Sequence, residues 1–193
     1  MNVLILSRDP SFFHGNQEGL SETLQRHVGY CEYLEKCERP SSIKIIAYTP
    51  RKFRYQPLKL GTLEVYPTSS RMRLLMVWDM FWLTLNYTRG WKPDLITTQT
   101  PWEEGHLGLI FSTCFKSKFL PQLHFDLLSS LWVREKKINI FYKYLAIPVL
   151  KKASAIRVVS QSMKEKLVVQ LKIQSRLIGV VPVGVPFMPV KTT

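Results

Sequence analysis

AIRVVSQSMKEKLVVQLKIQSRLIGVV, residues 155–181, is the stretch that decides the fold. Apolar runs at 155–160 and 178–181 predict two β-strands with a helix between them. Ser162 and Glu165 have the spacing of a capping box, so we expect the helix to begin there. Two such strands joined by one helix predict a parallel β-α-β unit.

The same alternation continues upstream to the amino terminus. Further strands are predicted at 2–7, 43–48, 62–67, 94–99 and 119–124, and helices at 19–37, 72–87, 105–115 and 137–151. Residues 51–60 are basic and include a proline, which favours a loop or a sheet edge. Most of the strands are continuous apolar runs, as expected for strands covered on both faces. The sequence therefore predicts one Rossmann-like α/β domain over residues 1–181, a parallel sheet with helices on both faces.

The carboxyl-terminal segment 182–193 carries a different signal. Gly184 favours a turn, and Pro186 and Pro189 prevent a following helix. We expect this segment to be a hinge or tail that leads from one α/β domain to another. The sequence then corresponds to one half of a two-domain enzyme, without its carboxyl-terminal domain.

Composition restricts the class of protein. The 27 Lys and Arg outnumber the 14 Asp and Glu, and the formal net charge is +13. This charge favours anionic partners, namely nucleotide phosphates, an anionic lipid surface or nucleic acid, although it can serve solubility alone. Nucleic acid is disfavoured because no RNP, KH or zinc-finger pattern occurs.

Cysteine usage and targeting signals favour a cytoplasmic protein. Cys31, Cys37 and Cys114 form no CxxC pair, which argues against a disulfide framework and a zinc site, and Cys31 falls on a predicted core face. The amino terminus lacks the pattern of a secretory signal. No run of about 18 apolar residues predicts a membrane span.

One apolar stripe has two interpretations. The stripe recurs at helical spacing in LLMVWDMFWLTL and consists of Leu74, Val77, Trp78, Phe81, Trp82 and Leu85. Packing in the core is the first interpretation. Docking at a membrane interface is the alternative, supported by basic residues before the helix and elsewhere in the chain. These residues are Arg71, Arg73, Lys136, Lys137, Lys143, Lys151 and Lys152.

Polar residues that follow the predicted strands are the candidates for a ligand site, because ligands bind at the carboxyl ends of parallel strands. The loop after the first strand contains Gly15 and Asn16, and backbone N–H groups at the following helix start can bind a phosphate. The loop has no GxGxxG pattern and the chain has no GK[ST], which disfavours dinucleotide dehydrogenases and P-loop enzymes.

His124 is the strongest single candidate, since it closes an apolar strand and begins the polar turn HFD. A neutral imidazole there can hydrogen-bond a sugar hydroxyl, and Asp126 can orient the imidazole or bind a hydroxyl itself. Gln99 follows the neighbouring strand. Glu103 and Glu104 follow it too, but adjacent residues rarely face one site, so we expect at most one, Glu104, to bind substrate. Solvation at a helix start is the alternative for this acidic pair.

Five segments, in order, resemble the amino-terminal domain of family 4 glycosyltransferases, which have the GT-B fold. They are NVLILS (2–7), KPDLITTQTPWEEGHLGLIF (92–111), FLPQLHFD (119–126), KKASAIRVVSQSMKEKL (151–167) and VVPVGV (180–185). The resemblance implies retaining transfer of a sugar from a nucleotide-sugar to a glycan or lipid-linked acceptor, with neither metal nor cofactor.

The resemblance also implies roles for individual residues. His124 takes the place of the family histidine beside the transferred sugar, and Gly15 that of a loop glycine near the donor phosphates, although the family's paired glycines are absent. The cations that neutralise the leaving diphosphate belong to the absent donor-binding domain or chain. Alone, the chain should bind acceptor but hardly catalyse. The alternative function is a non-catalytic basic module for an anionic membrane surface or a polyanion. With either function we expect a cytoplasmic protein, which can be peripheral at the inner face of the plasma membrane.

Overall fold

Residues 155–181 form the expected parallel β-α-β unit in the computed structural model, which describes residues 1–15, 19–36 and 41–182. The described strands are β1 (Asn2–Ser7), β2 (Ser42–Ala47), β3 (Leu58–Leu60), β4 (Leu63–Pro67), β5 (Leu95–Thr98), β6 (Lys118–Leu123), β7 (Ile156–Val158) and β8 (Ile178–Val180). The described α-helices are α1 (Glu22–Lys36), α2 (Met76–Tyr87), α3 (Glu103–Phe115), α4 (Ser130–Glu135), α5 (Lys137–Lys151) and α6 (Gln161–Leu171).

The strands form one sheet in the order β3-β4-β2-β1-β5-β6-β7-β8. Every neighbouring pair is parallel except β3 and β4. β1 lies between β2 and β5, so the chain proceeds towards one edge of the sheet after β1 and towards the other edge after β4. The predicted Rossmann-like α/β fold is confirmed.

Helices cover both faces of the sheet at β1, which explains why this strand is a continuous apolar run. Val3 and Ile5 of β1 pack with residues of α1, while the alternate residues Leu4 and Leu6 pack with residues of α2, α3 and α5. α5 also packs with α6, which places α6 on the second face. Cys31 is buried against the first face, as predicted.

Two local predictions need correction. Ser160, and not Ser162, caps α6: its Oγ accepts a hydrogen bond from the Met163 N–H at 3.3 Å, and the helix begins at Gln161. Both serines can cap a helix, and strand β7 ends earlier than its apolar pattern does, which leaves Ser160 in the extended conformation that a cap needs. The short helix α4 was not predicted. The basic segment after β2 ends in the edge strand β3, which pairs antiparallel with β4, so the predicted loop or sheet edge is confirmed.

Burial within α2 also differs from prediction. The helix buries Met76, Met80 and Thr84 against the sheet. Leu74 and Trp78, which were expected in the core, are 87% and 60% exposed. Core packing of the whole predicted stripe is therefore wrong. The reason is that α2 is apolar all round apart from Asp79, Thr84 and Asn86, so periodicity could not identify its inner face.

A helix that spans a bilayer must be long and apolar. In residues 1–15, 19–36 and 41–182, no helix is both long and apolar enough to cross a membrane.

Candidate functional site

The carboxyl ends of β1, β5 and β6 lie side by side at one edge of the sheet. The order of the chain reverses between β1 and β5, since β2 lies on the other side of β1. Open parallel sheets bind ligands outside the carboxyl ends of their strands at such a reversal. We call the residues that follow these three strands, 8–15, 99–104 and 124–126, the rim.

A hydrogen bond joins the two strands at the reversal. The Ser7 hydroxyl, at the end of β1, donates to Gln99 Oε1, just after β5, at 2.6 Å. The same hydroxyl oxygen accepts from the Asp9 N–H at 3.0 Å, and Asp9 Oδ1 accepts from the Ser11 N–H at 2.9 Å. The start of the first loop is thereby fixed, and Gln99 is placed at the rim.

Arg8 is held at the rim by two contacts. Its Nη1 donates to Glu103 Oε2 at 2.9 Å, and its guanidinium carbon lies 5.6 Å from the centroid of the Trp102 ring. The Arg8 side chain is only 13% exposed. Their position directly after β1 and β5 predicted Arg8 and Trp102 at this edge of the sheet, although the sequence assigned neither a role in the site.

Glu104 belongs to the rim by its position, but its side chain lies beneath the rim surface. The residue is fully buried, and its Oε1 accepts a hydrogen bond from the Thr100 hydroxyl at 2.7 Å. Among the described residues, its Oε2 has no hydrogen-bond partner. Burial raises the pKa of Glu104 to about 7, although the Thr100 hydrogen bond and the charge of Arg8 act in the opposite direction. Glu104 therefore does not present its carboxylate to a ligand, contrary to our expectation, and instead supports the Thr100 loop.

His124 follows β6 directly and is exposed. Neighbouring protein atoms still desolvate part of its ring, and this partial burial lowers the pKa of His124 below its usual value, with smaller contributions from the charges of Arg157 and Arg26. The imidazole is consequently neutral near pH 7. A neutral imidazole can accept a hydrogen bond at one nitrogen and donate one at the other.

Asp126 has partners other than the histidine. One carboxylate oxygen forms an ion pair with Lys166 of α6, and the other accepts a hydrogen bond from the Leu128 N–H at 3.2 Å. These contacts fix the turn after β6. The expected orientation of His124 by Asp126 is not observed.

The rest of the first loop is only partly described. Gly15 is exposed, and a Cβ atom there would lie 3.0 Å from the carbonyl oxygen of Gly19, so a larger residue would crowd the loop. Asn16 lies outside the described residues, and its predicted role stays a prediction. Before Gly15, the rings of Phe13 and Tyr55 stack with centroids 5.1 Å apart.

Aromatic rings connect the loops after β5 and β6. The Trp102 ring lies 5.0 Å from that of Phe125 and 4.6 Å from that of Tyr142, measured between centroids. Trp132 stacks on Phe125 at 5.3 Å. These rings form one wall beside Arg8 and hold the two loops in a fixed relation.

An apolar cavity lies away from the rim. It has a volume of about 270 Å³ and is bounded by α1 and the face of the sheet, with Tyr30 and Tyr33 on one side and Gln122 and Arg157 on another. We assign the candidate site to the rim because its polar groups converge where the sheet reverses, whereas the walls of this cavity are mostly apolar.

Comparison with known proteins gives similarity in structure alone. No family model matches the chain, and no curated protein matches it in sequence. Sucrose-phosphate synthase from Thermosynechococcus elongatus matches 96% of the chain with a TM-score of 0.68 and 12% identity. The lipopolysaccharide outer core galactosyltransferase WaaB matches 98% with a TM-score of 0.59 and 14% identity. UDP-GlcNAc 2-epimerase from Methanocaldococcus jannaschii matches 94% with a TM-score of 0.57 and 14% identity.

The three matches cover a similar fraction of the known structures. The chain covers 49%, 48% and 45% of these three structures, so it spans about half of their length. The fold is that of one half of the GT-B fold, as the sequence resemblance implied.

Proposed function

We propose that this chain is the acceptor-binding half of a retaining family 4 glycosyltransferase, which transfers a sugar from a nucleotide-sugar to a glycan or lipid-linked acceptor. The observation that carries the proposal is the hydrogen bond from Ser7 to Gln99 at the strand reversal, with His124 at the end of the next strand. The similarity in fold to a galactosyltransferase and a sucrose-phosphate synthase supports it.

His124 is the residue that we propose to act on the transferred sugar. It is exposed at the rim, and its lowered pKa keeps the ring neutral at neutral pH. In the productive complex the imidazole hydrogen-bonds a hydroxyl of the sugar and so fixes the ring beside the acceptor. Gln99 contributes an amide nitrogen for a second sugar hydroxyl, because its oxygen is already bonded to Ser7.

The described residues of the rim supply little counter-charge for the leaving diphosphate. Among the described residues of the rim, Arg8 is the cation nearest the strand reversal, and Glu103 already neutralises much of its charge. Electrostatic stabilisation of the charge that develops in the transition state usually contributes more to catalysis than any other single effect. A donor-binding domain or separate chain must therefore supply further cations, and neither metal nor cofactor is part of the proposal.

A transfer assay tests this function. A donor-binding carboxyl-terminal half is fused after Val185, or co-expressed, and the product is measured with a panel of nucleotide-sugars and glycan or lipid-linked acceptors. We expect the combined protein to transfer a sugar with retention of anomeric configuration, which NMR of the product reports. The isolated chain should show negligible turnover. Turnover by the isolated chain on the order of 1 per second or faster would refute the half-enzyme proposal.

A further inference from the structure

The outer face of α2 is apolar and open to solvent. Leu74, just before the helix, is 87% exposed, and Trp78 and Trp82 are 60% and 52% exposed. The inner face of the same helix is buried through Met76 and Met80. Apart from Asp79, Thr84 and Asn86 the helix is apolar, and a helix of this composition is normally covered on most sides. The exposed face of α2 is therefore a candidate surface for binding a partner.

The exposed tryptophans are held in place by the core beneath them. The Trp78 and Trp82 rings meet edge to face, with centroids 5.6 Å apart, and both contact Phe81. Phe81 in turn stacks on Phe111 of α3 at 5.4 Å. The outer face is thus a preformed surface, supported through a continuous series of rings.

Basic residues surround the amino-terminal end of this face. Arg71 and Arg73 are exposed just before α2, and Arg51 and Lys52 are exposed on the adjacent loop. The two loops are joined by a hydrogen bond from the Arg51 N–H to the Ser70 carbonyl at 2.9 Å. Within residues 1–15, 19–36 and 41–182, no carboxylate forms an ion pair with these four cations. Cations beside a helix amino terminus oppose its dipole, so helix stability does not account for them.

From these contacts we infer that this face binds the surface of an anionic lipid bilayer. The lipid-docking surface consists of Leu74, Trp78 and Trp82 with the flanking cations Arg51, Lys52, Arg71 and Arg73. Tryptophan and leucine enter the boundary between headgroups and acyl chains, as in interfacial helices. The cations contact anionic headgroups, each contributing on the order of 1 kcal/mol, which corresponds to about a fivefold change in binding.

Other occupants fit the charge and chemistry less well. A symmetric contact with a second copy would place the same four cations near one another, because a two-fold interface joins identical patches. A polyanion would satisfy the cations but leave the tryptophans exposed to water. The inference does not depend on sugar transfer, since no residue of this surface belongs to the rim.

Vesicle binding by the unmodified chain tests the inference. We expect binding to phosphatidylglycerol-containing vesicles that weakens at high salt, with weaker binding to pure phosphatidylcholine. Acyl chains carrying bromine should quench tryptophan fluorescence in the bound protein. The variant L74S/W78S/W82S should bind at least about tenfold more weakly, since it loses the inserted apolar groups. R71E/R73E should bind at least about 20-fold more weakly, because it loses two cations.

Two matched variants act as controls. Y33S removes an exposed aromatic ring from α1, on the opposite face of the sheet, and R89E/K92E makes the same change of charge after the other end of α2. Both should bind vesicles as the unmodified chain does. Binding that survives L74S/W78S/W82S and is lost only at high salt would indicate a general polyanion surface and overturn the inference. Equal binding of the unmodified chain to neutral and anionic vesicles would also overturn it. So would a variant L74S/W78S/W82S that lost self-association but still bound vesicles.

Discussion

Replacing Glu104 with glutamine should stabilise the protein at pH 8 and leave its stability nearly unchanged at pH 4. In the folded chain the pKa of Glu104 is raised to about 7 by burial, against an ordinary 4.5. Between these values the folded state keeps a proton that the unfolded state releases, so stability falls as pH rises through this window. The loss for this fully buried group is on the order of 3 kcal/mol. Glutamine has no proton to lose, and its amide oxygen can still accept from Thr100.

Urea unfolding of both proteins from pH 4 to pH 8 measures this effect. The difference in unfolding free energy between E104Q and the unmodified chain should grow with pH to about 2 to 3 kcal/mol. Glu103→Gln is the matched control, because the Glu103 side chain is 31% exposed and its loss should cost about 1 kcal/mol or less. If the unfolding free energies of E104Q and the unmodified chain changed with pH in the same way, the pKa of Glu104 would not be raised in the folded state.

Replacing His124 with alanine should lower kcat of the combined enzyme by about 100-fold or more. The reason is that a positioned hydrogen-bonding or proton-transferring side chain typically contributes on the order of 100-fold to 10,000-fold. H124N should retain part of the activity, because an amide can still hydrogen-bond a sugar hydroxyl. Steady-state kinetics with the nucleotide-sugar that supports transfer provides the measurement.

His106→Gln is the control for this experiment. His106 Nε2 lies 2.9 Å from the Leu145 carbonyl oxygen of α5, and glutamine can preserve a contact there. We expect H106Q to have nearly unchanged kcat. If H124A and H106Q had the same small effect, His124 would be an ordinary residue at a strand end.

The strands and most helices could be predicted because burial on both faces leaves a continuous apolar run. β1 shows why: Val3 and Ile5 face α1, while Leu4 and Leu6 face α2 and α3. The alternation of apolar and polar side chains that marks a half-exposed strand is therefore absent. Its absence predicts a parallel sheet. The same argument fails for α2, where apolar residues on every side give no indication of the inner face.

The position of the rim could be predicted from the sequence, but the contacts of its side chains could not. Alternation of strands and helices places Gln99 and His124 at the same edge of the sheet. The partners of the rim residues are distant in sequence, since Arg8 pairs with Glu103 and Asp126 pairs with Lys166. Glu104 was assigned to substrate because it follows β5, whereas its side chain is fully buried beneath the surface of the rim.

Hydrogen–deuterium exchange on the combined enzyme tests most directly whether the rim is the substrate site. Exchange is compared with and without the nucleotide-sugar and acceptor that support transfer. We expect slower exchange in residues 99–104 and 124–126, and unchanged exchange in residues 30–34 of α1 beside the apolar cavity. Protection confined to residues 30–34 and the neighbouring sheet face, with the rim unaffected, would contradict the account.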